Sequence, residues 1–94
     1  MRKDQILNVA ICLSKTHGYH KITREAIAHH ADVSASLVSR YFNTMNQLRR
    51  TIIRAAIKQK IPEIIAQGIA NRDARVQDIP DELRAKALQL ISGY

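Results

Sequence analysis

Tryptophan is absent from this chain of 94 residues, and it holds only two prolines and three glycines. That shortage of turn formers argues against a β-rich fold and for an all-α one. A lone cysteine, Cys12, excludes an intramolecular disulfide. It sits among Ala10, Ile11 and Leu13, where a buried thiol acting as a small hydrophobe is expected. No apolar run is long enough to span a bilayer, and the first residues lack the apolar stretch of a secretory signal. A cytoplasmic setting is therefore expected. Catalytic signatures are missing too: there is no glycine-rich phosphate loop, no HExxH and no nucleophile motif, so neither an enzyme nor a cofactor is expected.

Acidic residues are also few, and unevenly so. Residues 1–60 carry eleven Lys/Arg against three acids, Asp4, Glu25 and Asp32, whereas residues 61–94 carry four against five. The formal net charge of +7 is thus concentrated at the front. A basic front and a near-neutral rear point to a polyanionic partner for the front alone.

What is present is helical periodicity. Ile6, Leu7, Ala10, Ile11 and Ser14 recur at helical spacing over residues 3–17, and Gly18 stops that helix. Tyr19 and Ile22 are available to pack in the connection. Thr23 caps a second helix that runs to about Ala31. Asp32 interrupts it, and Ser34 caps a third helix over about residues 35–42. Thr44 with Gln47 three residues later reads as a capping box for a long fourth helix ending near Lys60. Pro62 opens a fifth over 62–70, residues 71–78 read as a polar linker, and Pro80, Asp81 and Glu82 open a sixth. Leu83, Ala87, Leu90 and Ile91 make that last helix's apolar stripe, and Gly93 stops it.

Helices two and three are short, are joined by a tight turn, and the second of them opens on a serine cap. This is a helix-turn-helix pattern. Ala28 is small enough for a close helix crossing, Asp32 makes the turn, Val33 is a buried turn residue, and Val38 lies on the inner face of helix three. The string TREAIAHHADVSASLVSRYFNTMNQL, over residues 23–48, resembles the DNA-binding domain of TetR-type transcriptional repressors, with Val33, Ser34, Tyr41, Phe42 and Leu48 as its markers. The resemblance covers about residues 5–58. It implies a three-helix head, a long fourth helix and short C-terminal helices, with double-stranded DNA as partner. Ser36, Ser39 and Met45 stand where that family often has glycine, tyrosine and lysine. Residues 61–94 are too few to enclose the ligand pocket of such repressors, so control by a small-molecule effector is not expected.

The resemblance lays helix three in the major groove, and the residue pattern agrees. Val38 and Phe42 face the core, leaving Ala35, Ser36, Ser39, Arg40 and Asn43 outward. Small side chains let the backbone approach the base edges, and Arg40 can bridge the O6 and N7 of a guanine. Leu37 and Tyr41 form a flanking pair, either packed on a neighbouring helix or touching DNA. Phosphate contacts are expected from Lys21, Thr23 and Arg24 at the start of helix two and from Thr44 and Asn46 at the start of helix four, and the Ser34 cap of helix three is expected at the DNA as well. Arg49 and Arg50 are open between a phosphate contact and a solvated face.

His17, His20, His29 and His30 lack ligand spacing, so no metal is expected. The rear holds Ile61, Ile64, Ile65, Ile69, Leu83, Leu88, Leu90 and Ile91, more apolar surface than a three-helix head requires. Burial in a two-fold homodimer explains it, with helices folded back within a monomer as the other possibility. The chain therefore reads as residues 1–60, a DNA-binding head with its connecting helix, and residues 61–94, a dimerisation segment. The alternative function is a protein-interaction adaptor or anti-repressor built on the same scaffold. An architectural protein without sequence preference is a third option.

Overall fold

The computed structural model describes residues 2–92. Among them there are six α-helices, one 3-10 turn and no strand, so the all-α expectation holds. The helices are α1 (Arg2–His17), α2 (Arg24–Ala31), α3 (Ala35–Phe42), α4 (Met45–Gln59), α5 (Pro62–Ala70) and α6 (Asp81–Ser92), with the 3-10 turn at Ala74–Val76. The chain divides into two compact units, Met1–Ile52 and Ile53–Tyr94, with the boundary inside α4.

In the first unit α2 packs against both α1 and α3. α1 buries Ile6, Ala10, Ile11 and Ser14, a single helical stripe. Ser14 is fully buried, and its hydroxyl donates to the Ala10 carbonyl at 2.7 Å, so the polar atom is satisfied inside the helix's own turn. Cys12 is exposed, contrary to expectation. Each residue advances about 100° around a helix, which carries Cys12 to the side opposite Ala10 and Ser14. Its apolar neighbours in sequence are not its neighbours in space. Tyr19 and Ile22 are buried as expected. Gly18 ends α1 at φ 91, its amide bonded to the Ser14 carbonyl at 2.9 Å. A β-carbon there would meet nothing within 4 Å, so the backbone angle and not space favours glycine.

In the second unit α5 packs on α6, and Ile64, Ile65, Leu83 and Ala87 are buried. Pro62 is at the first position of α5. Residues 71–78 are not a featureless linker. Asp73 caps the 3-10 turn and pairs with Arg75 at 2.9 Å. Arg84 donates to the carbonyls of Val76 and Gln77 at 2.9 and 2.6 Å, and Val76 and Ile79 are buried. The polar string thus folds through bonds that apolar periodicity does not register. On α6, Leu90 is half-buried but Ile91 is exposed, although it continues the four-residue row of Leu83 and Ala87. The helix stop assigned to Gly93 lies outside the described residues.

Besides α3, which ends at Asn43, three helices end without glycine. Asp32, Lys60 and Arg72 all take the left-handed conformation, at φ 56, 58 and 56. After each, the next amide reaches back to a carbonyl five residues earlier: Val33 to Ala28 at 3.0 Å, Ile61 to Ala56 at 2.8 Å, and Asp73 to Gly68 at 2.8 Å. This closure satisfies carbonyls that the helix end leaves open.

Candidate nucleic-acid interface

The turn between α2 and α3 is built from caps. Thr23 Oγ1 accepts from the Ala26 amide at 3.1 Å and starts α2. Asp32 and the Val33 bond to Ala28 close that helix, and Ser34 Oγ accepts from the Leu37 amide at 3.2 Å to start α3. Ala28 is buried at the crossing, as its size requires. Val33 is only half-buried, so it flanks the turn and does not plug it.

α3 is sharply two-faced. Val38 and Phe42 are 1% and 4% exposed and anchor it. Ser36, Arg40 and Asn43 are exposed, while Ala35 and Ser39 are half-buried, so the fully open part of the outward face is narrower than expected. Leu37 and Tyr41 are half-buried at its flank. The ammonium of Lys3 on α1 lies 5.7 Å from the centroid of the Phe42 ring, a cation–π contact that adds to the anchoring of α3.

Around this helix the candidate phosphate ligands are accessible. Lys21, Thr23, Ser34 and Thr44 are exposed and Arg24 is half-buried. No ion pair ties up Lys21, Arg24, Arg40 or Arg50 among the described residues. The capping box of α4 is only half formed. Thr44 Oγ1 accepts from the Gln47 amide at 3.1 Å, but the Gln47 side chain turns to Asn43 and accepts its Nδ2 at 3.0 Å. Asn43 has φ 63, and its own amide donates to the Ser39 carbonyl at 2.7 Å. Gln47 therefore steadies a residue in an uncommon backbone conformation. Asn43 and Gln47 stand four residues apart, a spacing that lets their side chains meet but does not by itself choose this bond over the cap. Arg49 Nη2 donates to the His20 carbonyl at 3.5 Å, linking α4 to the loop that carries Lys21. Arg50 is exposed.

The family model for bacterial regulatory proteins of the tetR family matches residues 6–52, half of the chain. The chain belongs to that family. The match spans the helices just described, from the core of α1 to the first half of α4. As a tetR-family member the protein is a DNA-binding transcriptional regulator. No curated protein and no solved structure matches it. Among the described residues no helix is long and apolar enough to cross a membrane, and no three His, Cys, Asp or Glu side chains stand together as metal ligands would.

Proposed function

We propose that this chain is a sequence-specific reader of double-stranded DNA, acting in the cytoplasm as a homodimeric repressor. The observation that carries the reading is the division of α3 into a locked face, Val38 and Phe42, and an open face of small and hydrogen-bonding side chains. A helix so built can enter a major groove about 12 Å wide without steric conflict. Arg40 is the main base reader, with Ser36, Ser39, Ala35 and Asn43 beside it. Lys21, Thr23, Arg24, Ser34, Tyr41 and Thr44 clamp the backbone. In this reading residues 1–60 are the DNA-binding head with its connecting helix. Residues 61–94 join two copies, which suits a two-fold operator. Repression follows the repressors that the sequence resembles.

Selection of bound duplexes from a random pool, repeated across salt concentrations, tests the proposal. An enriched sequence with two half-sites and a steep loss of affinity with salt is expected. No enrichment sinks specific readout, and affinity indifferent to salt sinks phosphate contact. Co-purification with a protein and no DNA shift would favour the adaptor reading, whose support is Met45 in place of a phosphate-binding lysine.

A further inference from the structure

A second surface lies on the first unit, in the groove between α1 and α2. Two cavities of about 330 and 320 Å³ adjoin there, sharing Leu13 and His30. Both are shallow and open to solvent. Val9, Leu13 and Ala26 form the apolar floor, all half-buried, with Ile22 beneath. On α1 the row Val9, Leu13, His17 repeats every four residues, and on α2 Ala26 and His30 do the same. These rows are two ridges with a furrow between them, and eight residues of α1 extend it over about 12 Å.

Along the rim stand His17, His30 and Lys21 with the neutral Asn8, Cys12 and Thr23, and no carboxylate lines it. Lys21 is a permanent cation, and each imidazole carries at least one N–H donor in either charge state. All three are exposed. An apolar furrow about two helical turns long, edged by donors and cations, matches an amphipathic helix with aliphatic residues on one face and carboxylates beside them. A small carboxylate would be left largely in water by so open a groove, whereas bound small molecules are ordinarily mostly enclosed.

We propose that the α1–α2 groove docks an acidic amphipathic helix of another protein. Docking competes with DNA, because Lys21 and Thr23 belong both to the groove and to the phosphate clamps. The competition rests on the DNA-reading proposal above; the docking itself does not. Since α3 is untouched, the partner lowers affinity for every DNA sequence alike and leaves sequence preference as it was.

The test uses the full chain and a fluorescein-labelled peptide of about fourteen residues, with leucine at positions i, i+3, i+4 and i+7 and glutamate elsewhere. Fluorescence anisotropy should show saturable binding. His30→Glu and Leu13→Glu should each weaken it by about tenfold or more, while Arg54→Glu leaves it unchanged. Circular dichroism melts of each variant establish that it folds. Should Leu13→Glu not fold, His30→Glu on exposed surface carries the test. Equal binding of a lysine-for-glutamate peptide, or no effect of His30→Glu, overturns the site. So does binding of decanoate in the groove without binding of the peptide. Unlabelled peptide should displace operator and random duplexes to the same degree. Peptide binding that leaves DNA affinity intact overturns the competition. Failure of the chain to bind DNA in the absence of peptide overturns the DNA reading alone, with the groove still judged by anisotropy.

Discussion

The two units put some of their cations to different uses. In the first, Lys21, Arg24, Arg40 and Arg50 form no ion pair among the described residues, and the exposed ones stand in water. In the second, Arg75 is held by Asp73, and Arg84 is spent on the carbonyls of Val76 and Gln77. Lys3 over the Phe42 ring and Arg49 on the His20 carbonyl also serve the fold of the front, but the four cations around α3 do not. That difference teaches where a ligand belongs: cations kept away from internal partners cost little to retain in water and are available to a polyanion.

The largest expected effects come from the cores and should not respect that division. Phe42→Ala in the first unit and Ile64→Ala in the second should each cost about 2–5 kcal/mol in chemical denaturation, as buried large-to-small changes do. Phe42→Ala should also abolish specific DNA binding, since it frees α3 from its anchor. If it leaves DNA recognition unchanged, α3 is not the reading element.

The arginines sharpen the comparison directly. Arg84→Ala removes a charged donor from two carbonyls and should lower stability by about 1.5–3 kcal/mol. Arg40→Ala should leave stability within about 0.5 kcal/mol. Its effect belongs to DNA discrimination, about 1–3 kcal/mol at one base position in competition binding. Equal stability losses in both variants would erase the contrast between structural and available charge. Lys21→Ala should weaken all sequences alike and reduce the salt slope by about one, which separates a phosphate clamp from a base reader.

Much of the front was legible in the sequence for a physical reason. Caps and turns are local devices, and Thr23, Ser34 and Thr44 act on amides three residues away. The buried pair Val38 and Phe42 followed from helical period alone. The rear was less legible because its organisation depends on longer reach: Arg84 bonds to carbonyls seven and eight residues earlier, which turns an apparent linker into a packed turn. In the site itself, the candidate residues on α3 were readable from periodicity. The diversion of Gln47 to Asn43 was not, because a side-chain amide can serve either a cap or a neighbour and only geometry chooses. The α1–α2 groove was invisible for a related reason: its two ridges come from different helices.

Helix ends supply a smaller test that runs through both units. Glycine marks the end of α1, but α2, α4 and α5 are closed by Asp32, Lys60 and Arg72 at positive φ. The left-handed region costs a residue with a β-carbon about 1–2 kcal/mol, less for aspartate, whose short polar side chain bonds locally. Glycine loses part of that gain through its freer unfolded chain. Lys60→Gly and Arg72→Gly should therefore each raise stability by about 0.5–1 kcal/mol, with a smaller gain for Asp32→Gly. A loss on glycine substitution would mean that the side chains at these ends hold something besides the turn.

The smallest expected effect is at Cys12. Its sequence neighbours Ile11 and Leu13 suggest a buried thiol, and a buried cysteine replaced by serine loses apolar burial and gains a hydroxyl needing a partner. On the exposed side of α1 neither penalty applies. Cys12→Ser should change stability by no more than about 0.5 kcal/mol. A thiol reagent should label the folded wild-type chain about as fast as the urea-unfolded one. A thiol protected until unfolding would show that this face of α1 is covered in solution. Protection that appears only when the acidic peptide is added would be stronger still, because Cys12 lines the same furrow as Val9 and Leu13 and would report its occupancy directly.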